Sequence, residues 1–226
     1  MKILIKFPTR NRKEIFFNTL NKYYEYLDDL DNVKFVISCD IDDDSMNNKE
    51  VKELLDGYKN LKYYFGNSKT KIEAVNNDMQ DLDFDILLLA SDDMIPQIKG
   101  YDTIIKNDMK KYYPNKDGIL WYFDGFNKSV NTLSIMGVAY YKKNNYIYHP
   151  MYHSFYCDTE QTIIAQKSNK ITFIDNTIIK HLHPDQTNEL HKSYDITYKE
   201  NDGYDYDKKI FIKRMKDVMN VNLDYL

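Results

Sequence analysis

The chain has 226 residues, with 31 Lys+Arg against 35 Asp+Glu and a formal net charge of -4; it is long enough to fill one core and too acidic for a protein whose main work is gripping a nucleic-acid backbone. Its 2 cysteines, Cys39 and Cys157, exclude a disulfide framework and a zinc cluster and point to a reducing compartment. An apolar strand begins at Lys2, no signal-peptide pattern precedes it and no run reaches membrane-spanning length, so a cytoplasmic protein is expected.

Strand and helix alternate from the start. The pattern predicts a strand at Lys2–Phe7, a helix from about Arg12 to Leu30, a strand at Val33–Ser38, a helix from about Asn47 to Tyr58, a strand at Leu61–Phe65, a helix at Thr70–Asp81 and a strand at Ile86–Leu89. This βαβα order implies an α/β fold, a Rossmann-type mixed sheet flanked by helices and mostly parallel in its N-terminal half. After Pro96 a helix is expected from about Gly100 to Lys110. Strands follow at Gly118–Phe123, Ile135–Tyr141 and Lys170–Ile174, in a less regular and more antiparallel half, and a helical tail runs from about Asp207 to Asn220. No repeat or Gly/Ser/Pro linker interrupts the chain, so one domain over residues 1–226 is expected, divided into 1–95, 96–190 and the tail 191–226.

The strand ends carry the unusual residues. The run Ile86-Leu87-Leu88-Leu89-Ala90 stops at Asp92 and Asp93. In an open α/β sheet ligands sit beyond the carboxyl ends of the strands, so two adjacent carboxylates there suit a divalent cation and a phosphate; they also suit a capped turn. The first strand runs into Pro8-Thr9-Arg10-Asn11-Arg12, which has no glycine, and this argues against a dinucleotide fingerprint and a P-loop. The Thr9 hydroxyl and the guanidiniums of Arg10 and Arg12 suit a nucleoside and phosphate charge, or alternatively a capped helix with exposed arginines. The second strand ends in Asp40-Ile41-Asp42-Asp43-Asp44. Asp40, with Asp42 next, could accept the ring N–H of a uracil-type base, and a solvated acidic turn is the other reading. Lys69 and Lys71 open the third helix and give a cationic edge beside the acidic fourth strand.

Taken in order, Phe7-Pro8-Thr9-Arg10-Asn11-Arg12, Ser38-Cys39-Asp40-Ile41-Asp42-Asp43, Lys69-Thr70-Lys71-Ile72-Glu73-Ala74-Val75-Asn76 and Ala90-Ser91-Asp92-Asp93-Met94 resemble the nucleotide-sugar-binding half of family 2-like glycosyltransferases with the GT-A fold. The likeness continues through Leu120–Gly125, Met136-Gly137, Tyr148-His149-Pro150, Cys157-Asp158-Thr159-Glu160 and His181-Leu182-His183-Pro184, and so covers roughly residues 2–185. It implies transfer of a sugar from a nucleotide diphosphate donor, with inversion at the anomeric carbon and a divalent cation, Mn2+ or Mg2+, on the diphosphate. It places Thr9, Arg10, Arg12, Asp40, Asp42, Lys71, Asn76 and Ser91 on the donor. The family's Asp-x-Asp metal motif reads Ala90-Ser91-Asp92 here, which leaves Asp92, with Asp93 beside it, as the carboxylate ligand. A histidine after the last core strand joins the metal in this resemblance, and His183 is chosen over His181; alternate residues of an extended His181-Leu182-His183 share a face.

An inverting transfer needs one base opposite the leaving diphosphate. The resemblance assigns that role to Asp158, just outside a helix beginning near Thr162, with Glu160 as its alternative or as an acceptor contact; spacing alone favours helix capping. The 21 tyrosines fit both an AT-rich genome and sugar-stacking surfaces. The aromatic stretch Tyr146–Tyr156, with Trp121 and Tyr122, could line an acceptor site or sit in the core. Asp124-Gly125 reads first as a turn. The tail's apolar stripe is expected to pack on the domain, while its basic face leaves peripheral contact with an anionic membrane open. The sequence therefore reads as a metal-dependent inverting glycosyltransferase that moves a sugar, with UDP favoured, to a glycan or other hydroxyl acceptor. The rivals are a sugar nucleotidyltransferase and a non-catalytic carbohydrate- or nucleotide-binding module.

Overall fold

The first strand, β1 (Ile3–Thr9), lies inside the sheet and, Lys6 apart, is mostly apolar on both faces because both are covered. In the computed structural model, which describes residues 1–80, 82–182 and 203–219, β1 pairs in parallel with β2 (Val33–Asp40) and β4 (Ile86–Leu89), and β2 with β3 (Leu61–Gly66). The short β5 (Met94–Pro96) lies outside this sheet. Beyond β4 come β7 (Ile135–Gly137), antiparallel to it, then β6 (Ile119–Tyr122) and β8 (Ile171–Ile174), so the order is β3-β2-β1-β4-β7-β6-β8. The mixed sheet, parallel in its N-terminal half, is as expected. The last pair, β6 with β8, is parallel where the second half was expected to be more antiparallel.

Alternate residues of β1 feed two cores. Ile3, Ile5 and Phe7 pack with Phe16, Leu20 and Tyr23 of α1 (Lys13–Glu25) and with Tyr101, Ile105 and Met109 of α4 (Tyr101–Tyr112), while α2 (Lys49–Asp56) adds Val51 and Leu55. On the other face, Leu4, Val36, Leu87 and Leu89 meet Ile72 and Val75 of α3 (Lys71–Asn76), and Tyr141 of α5 (Val138–Tyr141) joins them. Ala165 of α6 (Cys157–Lys167) and Phe211 and Met215 of α7 (Gly203–Met219) complete this layer. The tail's apolar stripe thus packs on the sheet layer, as its periodicity predicts.

Several boundaries differ from expectation, each for a tertiary reason. α1 stops at Glu25, not Leu30, because the chain is turned toward buried Asp102, whose carboxylate accepts the Asp28 and Asp29 amides at 2.9 and 3.2 Å. α3 ends at Asn76, not Asp81. The Asn77 carbonyl accepts from the buried Lys6 ammonium at 2.8 Å, and the Asn76 amide clasps the 147–148 backbone. The strand expected to reach Tyr141 ends at Gly137, and the chain turns into α5 with the Ala139 and Tyr140 amides donating to the Lys116 carbonyl. α6 begins at Cys157 rather than near Thr162, which moves Asp158 into its first turn. A two-stranded ribbon, β5 with β9 (Ile179–His181), was not anticipated, because three-residue strands carry no periodicity to read.

At Gly137 a Cβ would lie 2.1 Å from the Lys116 carbonyl oxygen, a backbone atom that cannot swing aside. Gly137→Ala is expected to cost on the order of 1–3 kcal/mol by overpacking. Gly66→Ala, with nothing within 4 Å of the new methyl, should change stability little. Urea denaturation of the two variants checks this, and equal midpoints would disprove the close approach.

Candidate functional site

The loop after β1 crosses the carboxyl ends of β2 and β4. Arg10 donates through Nη1 to Asp40 Oδ2 at 2.8 Å and to Asp42 Oδ1 at 2.6 Å, and through Nη2 to Asp42 Oδ2 at 3.0 Å. The sequence thus named three residues that the fold joins, although it did not foresee that they pair with one another. Asp40 is buried, and its second oxygen, Oδ1, has no hydrogen-bond partner among the described residues. Asp43, passed over in the sequence, organises the turn: it is 1% exposed and accepts the Asn11 amide at 2.7 Å, the Ser45 amide at 3.0 Å and the Ser45 hydroxyl at 2.6 Å. The Asp43-Asp44-Ser45 spacing of an Asx-type turn was the available signal.

β4 delivers Asp92 and Asp93 into buried positions with opposite electrostatic treatment. Asp92 is 5% exposed; Thr9 Oγ1 donates to its Oδ2 at 3.3 Å, Arg12 Nη1 stands 3.9 Å from the same oxygen, and Oδ1 has no hydrogen-bond partner among the described residues. Loss of water pushes its pKa up to about 7, with the Asp93 charge adding and Arg12 and Thr9 opposing. Burial would raise Asp93 too, but the His181 imidazolium and the Ser91 hydroxyl hold it well below the usual carboxylate range. His181 Nε2 lies 3.6 Å from Asp93 Oδ2, and its Nδ1 lies 3.7 Å from Asp124 Oδ2. Burial works against this imidazolium, yet Asp124 and Asp93 raise its pKa to about 9. Asp124 accepts the Phe126 and Asn127 amides at 2.8 and 2.7 Å and the Thr132 hydroxyl at 2.6 Å, and despite its burial its pKa falls to about 2. The turn expected at Asp124-Gly125 is present, and its carboxylate also anchors the histidine. His183, the histidine chosen from sequence, lies outside the described residues. His181 is brought in by the ribbon, where it pairs with Met94, and its amide donates to the Asp124 carbonyl at 2.9 Å.

Beside these groups opens a cavity of about 350 Å³. Asp93, Ser91 and His181 line one side, Lys71 stands at the N-terminus of α3, and Asp158 and Thr159 project from the first turn of α6. The Thr70 hydroxyl caps α3 by accepting the Glu73 amide at 3.1 Å, and Glu73 accepts the Lys69 amide at 2.7 Å. Asp158 Oδ1 accepts the Thr159 amide at 2.7 Å; burial raises its pKa, against the pull of Thr159 and Lys71.

Other residues selected from sequence have different surroundings. Glu160 does not line the cavity: Arg214 of α7 binds it through two bonds of 2.7 and 2.8 Å, and the Tyr152 hydroxyl donates to it at 2.5 Å. Asn76 spends its amide on the backbone of Ile147 and Tyr148. Trp121 and Tyr122 are buried, the first edge-on to Phe173 and the second donating to Asp108 at 2.6 Å. Sequence reasoning also missed Asp207, which accepts the amides of His153, Ser154 and Phe155, each at 2.8 Å, and so fixes the approach to α6.

No protein-family model matches the chain, and no curated protein matches it. Solved structures do. The mannosyltransferase PcManGT from Pyrobaculum calidifontis, in complex with GDP-Man and Mn2+, superposes with a TM-score of 0.64 at 13% identity over 87% of this chain and 60% of that one. S. aureus TarS 1-349 in complex with UDP-GlcNAc gives 0.63 at 15% identity, over 96% of this chain and 73% of that one. A further TarS structure gives 0.62 at 15% identity over 96% of this chain, which spans 44% of that one. The chain has a GT-A-like fold.

On this GT-A-like frame, the carboxylates after β4 stand where a divalent cation would sit beyond the strand ends. Among the described residues no group of three or more His, Cys, Asp or Glu side chains is arranged to hold a metal ion. The buried Asp92 Oδ1, lacking a hydrogen-bond partner among the described residues, is nevertheless a hard oxygen donor, and Asp93 adjoins it. Such a pair fits a cation that takes one or two carboxylates from the protein and its other ligands from phosphate and water.

The burial of Asp92 has a measurable cost. A carboxyl whose folded pKa stands near 7, above its unfolded value, binds more protons in the native state, so its contribution to stability falls as pH rises through that window. Asp92→Asn is therefore expected to be more stable than the parent at pH 8, by at least the order of 1 kcal/mol, and to show a smaller gain at pH 4. Denaturant titrations at both pH values check this, and an Asn variant no more stable at pH 8 would show that the carboxylate is compensated.

Proposed function

We propose that the chain transfers a sugar from a nucleotide diphosphate donor to a hydroxyl acceptor, with inversion at the anomeric carbon. The observation that supports this reading is the meeting, at one sheet edge, of two buried carboxylate oxygens without hydrogen-bond partners among the described residues, on Asp40 and Asp92, beside a cavity into which Asp158 projects. The GT-A-like neighbours agree with it, since their bound ligands are GDP-Man with Mn2+ and UDP-GlcNAc.

In this reading Asp40 Oδ1 accepts the ring N–H of a uracil-type base, and UDP is the favoured carrier. Arg10 holds Asp40 in place through a charge-assisted hydrogen bond. Thr9, Arg12 and Lys71 face the diphosphate, and Ser91 and His181 orient Asp93. Asp92 and Asp93 would hold a divalent cation, which would supply positive charge against the departing diphosphate. Asp158 takes the proton of the acceptor hydroxyl, whose oxygen bonds to the anomeric carbon as the carbon–oxygen bond to the diphosphate breaks and its electron pair leaves with the nucleotide. A base whose pKa is raised by burial is better matched to that proton than an exposed carboxylate. A second reading, donor binding without turnover, rests on Ala90, a buried methyl at the position where the metal motif carries a carboxylate.

Thermal shifts with UDP, GDP, CDP and dTDP, each with and without Mn2+ or Mg2+, test the donor. One nucleotide is expected to raise the melting temperature in a cation-dependent way. Asp158→Asn should keep that shift and lose transfer or donor hydrolysis by about 100-fold or more. Turnover at the parental rate in this variant would remove Asp158 as base. A shift without turnover in the parent would favour the binding reading, and no shift with any nucleotide would sink both.

A further inference from the structure

α7 grips the chain on both sides of Asp158, and the first of the two grips is an unusual one. Asp207, 0% exposed, accepts the amides of His153, Ser154 and Phe155 on its carboxylate, each at 2.8 Å. Among the described residues its charge is met by these peptide N–H groups and by no cation. Past Asp158, Glu160 accepts two bonds of 2.7 and 2.8 Å from Arg214 of the same helix.

Docking α7 does not require a buried carboxylate. Phe211 and Met215, both buried, already seat the helix in the apolar layer, and taking a carboxylate out of water without a counter-ion is costly where an apolar side chain is not. What the carboxylate adds is direction, because it accepts three consecutive amides only when their N–H groups converge on it. The chain then passes through Tyr156 at φ 61, a left-handed conformation that a bulky residue keeps only when its surroundings impose it, and enters α6 at Cys157. The Tyr156 ring stacks on Phe211 with centroids 5.1 Å apart, and its carbonyl accepts the Glu160 amide at 2.9 Å. On the other side of the same stretch, the His153 carbonyl accepts the Ile72 amide at 3.1 Å, next to Lys71 at the cavity. One carboxylate thus fixes the stretch on which both α3 and the first turn of α6 are seated.

We propose that Asp207 is a positioning residue: it holds residues 153–155 so that the first turn of α6 presents Asp158 to the cavity, which makes α7 a working part of the site. The reaction assigned to Asp158 rests on the transferase reading; the control of its position by Asp207 does not.

The test uses the whole chain as parent, Asp207→Asn, Asp207→Glu and Met215→Ala. Asparagine keeps the shape and loses the charge; glutamate keeps the charge and displaces it by one methylene. Met215→Ala removes packing from the same helix and leaves the clasp intact. Aspartates labelled with 13C at the carboxyl are titrated by NMR, the Asp158 resonance being the one absent from Asp158→Asn. In the parent Asp158 is expected to titrate above the ordinary aspartate range, because burial raises its pKa. Both Asp207 variants should return that midpoint toward the ordinary range by about half a pH unit or more, as the first turn of α6 gains water. Met215→Ala should lower the melting temperature and leave the midpoint at the parental value. On the same samples, thermal shifts with UDP and GDP and hydrolysis of UDP- and GDP-hexoses are measured. Both Asp207 variants should keep the parental nucleotide shift and lose kcat about tenfold or more, with KM within about twofold. A midpoint unmoved in both variants, one moved by asparagine and not by glutamate, or an equal move in Met215→Ala would each overturn the proposal. Moved midpoints in proteins that answer to no nucleotide would leave Asp207 in its role while the transferase reading fell. A nucleotide response with unmoved midpoints would remove Asp207 alone.

Discussion

Two carboxylates placed side by side and taken out of water cannot both be compensated by the same few donors, and the site is organised by how this conflict is resolved after β4. Asp93 receives the counter-charge. Ser91 donates to it, and His181, charged between Asp93 and Asp124, holds it ionised. Asp92 receives a threonine hydroxyl and a distant guanidinium, and one of its oxygens keeps no hydrogen-bond partner among the described residues. Buried polar groups are nearly always satisfied, so an exception of this kind marks a place where the fold has left an interaction for something else to make. Asp40 repeats the arrangement at the neighbouring strand end, with one oxygen on Arg10 and the other without a hydrogen-bond partner among the described residues.

The parallel order β3-β2-β1-β4 makes this meeting possible. All four strands reach their carboxyl ends at one edge, so residues that are far apart in the chain become neighbours there. The antiparallel β7 then reverses direction next to β4, and the chain returns through the β5–β9 ribbon and α6 to wall the cavity. Three clasps fix that wall: Asn76 on the 147–148 backbone, Asp207 on the amides of 153–155, and Arg214 on Glu160. The first two satisfy loop backbone groups that would otherwise be buried unpaired, and the third pairs a buried carboxylate of α6 with a guanidinium of α7. Together they hold the start of α6, whose first turn carries Asp158.

Much of this was legible in the chain. The apolar run of β4 reads as a strand because both of its faces are covered, and its abrupt end at Asp92 marks the sheet edge. Arg10, Asp40 and Lys71 stand out because charged residues gather where predicted strands and helices meet; Asp158 stands out through the family resemblance, and it shares the cavity with Lys71. Asp43 was missed because an acidic run does not reveal which member folds inward. His183, chosen over His181 on the resemblance, lies outside the described residues, and the ribbon that aims His181 at Asp93 is too short to leave a pattern in sequence. Glu160 was selected for its closeness to Asp158, yet successive residues of a helix point about 100° apart, and it faces Arg214 instead.

The sequence by itself determined the alternation of strand and helix, the central apolar strands and the collection of acidic and basic residues at their ends, because these follow from local periodicity and from which residues tolerate burial. Only the tertiary structure decided which carboxylate is compensated and which is left short, where α3 and α6 begin and end, and which aromatic rings stay exposed. Those outcomes depend on partners such as Asp124, Asp207 and Arg214, which stand dozens of residues from the groups they hold. A chain shows the residue types it offers, but the water each one loses and the charge it meets are set by neighbours that exist only after folding.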